Sequence, residues 1–420
     1  MPSRLTRPFG FAVAAVLALL LLAAPASAQV IVKVNDIVNF RLGFQLQGWS
    51  EFLQDPISEG YQESFKIRRV RLIVAGTLAK NISFFMQTDN PNMGATTGTA
   101  AKAINTGFLV QDAFGEWHPF SNDQFIVLFG KMLMPFTRNS LQSTSSHLAL
   151  DGGTWTFLQS APLQGDAGRD VGLEFKSYLV NDHLEFRGGV FDGFRAPANA
   201  GGAGSRNPFR FTGRVVYNFF DTEKGYVPVG TNLGKKTIVA IGGGYDTQGG
   251  FTSPATATTP AGKGYEAYGG DFMIDWPIGP GDAKTGRDAI TAHVDYIHYD
   301  GGCRANAAGV VQTNCLISTL PRQEEVFTDL GYFFHVINLQ PFIRFEALAF
   351  KDPTVAGALN LGFTKNIRRY MGGFNYYVTP AAQNMKITAA WEKIVPNTAA
   401  TGAKTKNTNH FVVQLQFYYF

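Results

Sequence analysis

From Val38 to Gln47 apolar and polar residues alternate: Val38, Phe40, Leu42, Phe44 and Leu46 fall on one side, Asn39, Arg41, Gln45 and Gln47 on the other. A period of two is the mark of a β-strand with unlike faces. Ten residues exceed the five or six of an average strand in a soluble sheet, and they match what a tilted strand needs to cross a bilayer. The pattern returns where Phe209, Phe211, Val215, Tyr217 and Phe219 oppose Arg210, Thr212, Arg214 and Asn218. No apolar run after Ala28 is long enough for a membrane helix, so strands are the only elements here that could span one.

Counting this alternation along the chain predicts sixteen strands. The first half holds 36–52, 63–77, 81–90, 107–118, 124–134, 169–178, 183–193 and 209–220. The second holds 236–247, 264–276, 288–300, 324–335, 339–350, 367–378, 384–394 and 410–420. Connections after odd-numbered strands are long, the longest being 135–168, whereas those after even-numbered strands are mostly short. Two connections, 221–235 and 277–287, break that rule. An even strand number with short turns at one end and long loops at the other predicts an all-β fold, a transmembrane antiparallel barrel. Closing the sheet on itself leaves no unpaired backbone edge in lipid.

The N-terminus agrees with export. Arg4 and Arg7 precede an apolar run from Phe9 to Ala24, followed by Ala26-Ser27-Ala28, the layout of a cleavable signal peptide. The expected division is a signal over 1–28 and one pore domain over 29–420, delivered to a bacterial outer membrane with lipid as its surroundings. Removing the signal leaves 34 basic side chains against 32 acidic ones. Such a balance argues against a nucleic-acid partner. Aromatic residues make up 13% of the chain and there are 46 glycines, in keeping with strands whose outer faces meet lipid. Cys303 and Cys315 lie in one Gly/Ala/Asn-rich stretch, and in an exported chain they are expected to form a disulfide that ties a loop. The last strand ends in Phe420, whose parity differs from that of Phe411, Val413, Leu415, Phe417 and Tyr419.

No constellation for catalysis, metal or cofactor is found. His293 and His298 are five apart on one strand and point to opposite faces. Gly242-Gly243-Gly244 has no following helix to hold a phosphate. Ser145-Ser146-His147 is an adjacency within a loop, and adjacency does not make a nucleophile with its base.

Ordered along the chain, Phe65-Lys66-Ile67-Arg68-Arg69-Val70-Arg71-Leu72, Asp112-Ala113-Phe114-Gly115-Glu116-Trp117, Gly130 to Phe136 and Gly168-Arg169-Asp170-Val171-Gly172 resemble the phosphate-selective porin O and P family. Gly189-Val190-Phe191-Asp192-Gly193, Leu339-Gln340-Pro341-Phe342 and Asn375-Tyr376-Tyr377-Val378 continue the likeness. The resemblance implies a homotrimeric, sixteen-stranded barrel whose third long loop, here about Pro135 to Gly168, folds inward and narrows the lumen. It also implies passive diffusion of small hydrophilic solutes, with anions or phosphate favoured. The family commonly carries a lysine two residues before the Pro-Phe that opens this loop. This chain has Leu133 there, with Lys131 nearby, so phosphate selectivity does not carry over directly.

Anion preference in a pore comes from basic side chains that line it. Alternation places Arg41, Arg210, Arg214 and Arg344 toward the lumen, Arg69 and Arg71 on one face of the second strand with Arg68 out of step, and Arg138 and Arg169 in or beside the narrowing loop. Glu51, Glu174, Glu185, Glu346 and Glu392 face inward by the same rule. The competing structural role for these arginines is pairing with acids across neighbouring strands, which holds the wall. An adhesin, receptor or anchor with a closed lumen is the alternative to a pore.

Overall fold

The computed structural model describes residues 30–55, 58–95, 107–120, 122–158, 167–194, 208–249, 264–282, 286–304, 320–352, 366–379, 383–396 and 407–420. The expected signal segment 1–28 and Cys315 lie outside the described residues. The strands in chain order are β1 (Val30–Lys33), β2 (Asn39–Gln54), β3 (Tyr61–Ala79), β4 (Ile82–Asp89), β5 (Leu109–Trp117), β6 (Ile126–Leu133), β7 (Arg169–Leu179), β8 (Leu184–Phe191) and β9 (Arg210–Asn218). They continue with β10 (Ile238–Gln248), β11 (Tyr265–Asp282), β12 (Gly286–Asp300), β13 (Gln323–Phe333), β14 (Leu339–Phe350), β15 (Ile367–Tyr377), β16 (Met385–Pro396) and β17 (Thr408–Tyr419).

Each strand from β2 to β17 pairs antiparallel with its sequence neighbours, and β17 pairs back onto β2, which closes a sixteen-stranded barrel. The short β1 was not anticipated from the sequence. It pairs with Asn39–Leu42 of β2, on the edge where β17 pairs with residues 44–53, and so continues the lane that β17 leaves. Residues 34–38 turn between β1 and β2, with the Asn35 side chain accepting from the Ile37 and Val38 amides.

Burial runs opposite to that of a soluble protein. Arg210, Thr212, Arg214 and Asn218 are buried inside, while Phe209, Phe211, Val215, Tyr217 and Phe219 stand exposed on the outer wall. Exposed aromatics gather near the short-turn end, among them Trp117, Phe219, Phe220 and Trp276, with Phe220 set edge-on to Trp276 at 5.2 Å. This is the girdle of a barrel whose outer face meets lipid and the membrane interface.

Most turns at one end are short, such as residues 80–81 and 180–183. The expected long break at 277–287 is corrected: β11 runs on to Asp282 and β12 starts at Gly286, leaving only 283–285 between them. A register shift between Ile278 and Asp282 accommodates the Pro and Gly residues that read as a loop. The other exception stands, since 219–237 separates β9 from β10.

Candidate pore interior

The basic residues expected to line the lumen do face the interior, and nearly all are matched with acids. Arg210 on β9 bonds Asp246 on β10, with Nε to Oδ1 at 2.7 Å. Arg344 on β14 holds Asp329, its cross-strand partner on β13, through two bonds of 2.6 and 2.7 Å. Arg71 bonds Asp89 at 3.0 Å, and Arg169 on β7 reaches Asp112 on β5 at 2.9 and 3.0 Å. Arg68 is the extra residue of a bulge where Gln47 pairs with Arg69 and Gly48 with Ile67. The bulge explains why Arg68 is out of step, and both Arg68 and Arg69 grip Asp151.

The glycine run on β10 has a mechanical role. Arg214 on β9 crosses β10 to Asp271 on β11, with Nη2 to Oδ1 at 2.8 Å. A Cβ on Gly242 would sit 2.6 Å from Arg214 and 2.8 Å from Asp271, so the crossing needs a residue without a side chain. A Cβ on Gly244 would lie 2.2 Å from the Phe136 carbonyl oxygen. That stripe is therefore also the bed on which residues 134–137 rest.

The described part of the long connection after β6, residues 134–158, is largely buried and bonded to inward side chains of many strands. Its one short helix, α1 (Arg138–Leu141), begins after Thr137, whose amide donates to the Ser140 hydroxyl at 3.0 Å. The Arg138 and Asn139 amides donate to Asp271 on β11 and Asp295 on β12. Further along, Thr144 oxygens accept from Gln47 and Arg71, the Ser145 carbonyl from Gln416, the His147 carbonyl from Lys386 and the Leu148 carbonyl from Asn375. Thr154 donates its amide to Glu346, and the Tyr299 hydroxyl donates to the Trp155 and Thr156 carbonyls. Burial pushes the His147 imidazole down to about 3. Burial opposes ionisation of Asp151, yet Arg68 and Arg69 hold its carboxyl well below the usual range.

The connection 219–237 meets this segment from the short-turn end. Arg138 grips Glu223 with two bonds of 2.7 and 2.9 Å and donates to the Val229 carbonyl. The Ser143 amide donates to the Pro228 carbonyl, and the Gly230 amide to the Ser146 hydroxyl. The connection is tied to one wall where Arg187 donates to the Tyr226 carbonyl, and to the opposite wall where Gln340 donates to Thr231. Leu233 packs with Ala289, Phe333 and Tyr377. The polar partners and Leu233 explain why a connection at the short-turn end is so long: it spans the interior.

Among the described residues two larger interior cavities are found. The larger, about 710 Å³, lies against β2–β7 toward the short-turn end and is lined by Arg41, Arg71, Phe85, Phe114, Arg169, Tyr226 and Phe420, among others. The second, about 380 Å³, lies toward the long-loop end and is bordered by Trp49, Arg68, Arg69, Asp151, Arg344, Arg369 and Glu392. Arg41 borders the larger cavity with its guanidinium 4.6 Å above the Phe420 ring. Phe420 thus lines the interior, on the side opposite to Phe411, Val413 and Phe417.

Reading single strands missed the matching acids, although Asp89, Asp112, Asp246, Asp271 and Asp329 all fall on inward positions of nearby strands. It also missed the inward apolar group of Phe85, Phe114 and Ile126, whose signal is adjacent apolar residues such as Phe84-Phe85 and Ile126-Val127-Leu128. Cys303 is buried and disulfide-bonded, and its expected partner Cys315 is outside the described residues.

The sequence model of phosphate-selective porin O and P matches residues 40–229. No curated protein matches. Among solved structures, the outer membrane channel DcaP of Acinetobacter baumannii is 12% identical, with a TM-score of 0.54 over 92% of this chain and 99% of that one. The anion-selective porin from Comamonas acidovorans is 10% identical, with a TM-score of 0.55 over 91% of this chain and 100% of that one. OprB of Pseudomonas putida is 8% identical, with a TM-score of 0.58 over 90% of this chain and 94% of that one. At these identities the likeness is one of fold. A closed barrel with an apolar outer wall and a polar, charge-matched interior, together with the sequence match over residues 40–229, makes this chain an outer-membrane porin that over those residues is similar to the phosphate-selective porin O and P family.

Proposed function

We propose that small hydrophilic solutes cross the outer membrane by passive diffusion along the β2–β7 side of this barrel, with the 134–168 connection as the narrowing element. The observation that carries this reading is the placement of the two cavities. They approach each other at Arg69 and Arg71, successive inward residues of β3, and both border the 134–158 segment. Arg41, Arg69, Arg71, Arg169 and Arg344 border these cavities and act as pore-lining residues, whereas Arg138, Arg210 and Arg214 are buried in the packing of the interior. All but Arg41 are paired with acids, which supports a weak anion preference, short of a phosphate-specific site.

Single-channel recording in planar bilayers with a salt gradient tests this reading. Discrete conductance steps with a modest anion preference are expected, and replacing residues 144–152 by a short Gly/Ser linker should raise the conductance. No conductance in either form would favour the closed-lumen anchor. The signal over 1–28, a mature barrel over 29–420 and a homotrimer belong to the same proposal; N-terminal sequencing and crosslinking of the purified protein check them. Both termini are placed at the short-turn end, on the periplasmic side. An epitope inserted at Gly309 should then be reachable on intact cells, and labelling only after cell disruption would reverse the orientation.

A further inference from the structure

Along β3 the inward positions change character. Arg69 and Arg71 give way to Ile73 and Ala75 toward the short-turn end. On the adjoining strands Phe85, Phe114 and Ile126 face the same space. Inward positions of a water-filled barrel are ordinarily polar, so an apolar wall there calls for a counterpart.

Part of that counterpart is supplied by the chain. Tyr226, carried in by the 219–237 connection, has its ring 4.6 Å from Phe114 and 5.5 Å from Phe85. Its hydroxyl donates to Asp112 at 2.6 Å and accepts the Leu133 amide at 2.7 Å, which fixes the ring against the wall. Phe420 meets Phe85 edge-on at 5.9 Å. Phe85, Tyr226 and Phe420 are nevertheless only partly buried, and all three border the cavity of about 710 Å³. A volume in that range is typical of small-ligand sites, which combine apolar walls with a few placed polar groups.

The polar group is Arg41. Arg71 and Arg169 on the same cavity are tied to Asp89 and Asp112, whereas Arg41 is exposed, lies over Phe420 and has no carboxylate partner among the described residues. A solute in this space would meet flat aromatic surfaces and one uncompensated guanidinium. Inorganic phosphate could use only the guanidinium, and a cation would be repelled by it.

We propose that this vestibule is a binding site for small organic anions that carry a flat apolar group, with benzoate as the simplest probe. The carboxylate would pair with Arg41 while the ring packs among Phe85, Tyr226 and Phe420 in the offset or edge-on arrangements that aromatic rings favour. The inference rests on the pore reading above, because the site would lie on the permeation path.

Calorimetry on the full-length protein in detergent, which needs no conduction, tests binding directly. Benzoate should bind about tenfold tighter than acetate or benzylamine, and Arg41→Gln and Phe85→Leu should each weaken benzoate about five- to tenfold. Both variants keep the wall filled, and thermal melts verify that they fold. In planar bilayers benzoate should interrupt the chloride current of the wild type more than acetate does. Benzoate and acetate binding within twofold of each other, or benzoate affinity unchanged in both variants, overturns the site even if the pore conducts. Benzoate binding with the expected variant losses but no conductance would uphold the site and overturn the pore.

Discussion

Replacing Arg169 by Met should convert a matched pair into an unmatched, buried negative charge. Asp112 is buried and accepts from Arg169, the Tyr226 hydroxyl and the Gln87 amide. In the variant the two neutral donors remain, so the carboxylate keeps two hydrogen bonds. Breaking a buried ion pair by removing one partner costs about 3–5 kcal/mol, and the remaining donors should keep the loss near the lower end of that range. For an ion passing about 8 Å away, one unmatched charge contributes roughly 0.5 kcal/mol in water and about 2 kcal/mol at an effective dielectric of 20. Those energies correspond to a permeability change of about 2- to 30-fold per ion. Reversal potentials under a KCl gradient should therefore swing toward cations in Arg169→Met. They should return nearly to the wild-type value in Arg169→Met/Asp112→Asn, where both charges are gone. A double variant as shifted as the single one would mean that the guanidinium acts on ions as a free charge, and the pairing argument would fail.

Gly244→Val should displace residues 134–137 from β10, because the new side chain meets the Phe136 carbonyl oxygen at once. Overpacking of this kind costs about 1–3 kcal/mol, read as a lower melting temperature together with an altered single-channel conductance. His147 and Asp151 of the same segment should not titrate in the neutral range. With His147 down to about 3 by burial, it gains charge only in strong acid, and the lowered Asp151 carboxyl stays ionised until the pH falls below its usual range. The stability that Asp151 contributes through Arg68 and Arg69 is thus complete above about pH 4 and lost only as acid protonates it. The His147 imidazole, followed by NMR, should stay uncharged from pH 5 to 8, and a midpoint near 6.5 would contradict this. The Cys303–Cys315 bridge should add up to about 3 kcal/mol to its loop in the chain-entropy model. Mass spectrometry without reductant should find no free thiol, and two free thiols would remove the bridge from the account.

What the sequence made legible was the wall. The alternation of Phe209–Phe219 against Arg210–Asn218 assigned both faces correctly, because a lipid-facing strand allows no other periodicity. The strand count of the barrel also followed from that alternation, and its closure from the connection lengths. Less legible was anything that depends on registry between strands or on chain crossing the interior. Arg214 finds Asp271 two strands away only because Gly242 leaves room, and neither residue announces the other. The 221–235 exception was visible as an irregular length, but its partners lie on β5, β8, β11 and β14, far away in sequence. The Phe420 parity was a correct clue whose meaning required the cavity beside it.

The interior has a consequence for how such a pore can discriminate. Sixteen strands enclose more space than wall side chains can fill, so the cross-section is set by the segments that enter it. Those segments are held by ion pairs and by backbone amides and carbonyls, as at Arg138–Glu223 and Asp295–Asn139. Each guanidinium used as an anchor is then a poor attractant for ions, because its field is cancelled within a few ångströms by its own carboxylate. Selectivity by charge falls to residues left out of that scaffold, and at the larger cavity Arg41 is the one that meets the condition. Selectivity by shape falls to Tyr226, since it alone among the cavity's aromatic rings is supplied by a segment crossing the lumen and not by the wall. Tyr226→Leu should accordingly alter which organic anions pass without shifting the chloride-to-potassium ratio, whereas Arg41→Gln should shift that ratio toward potassium.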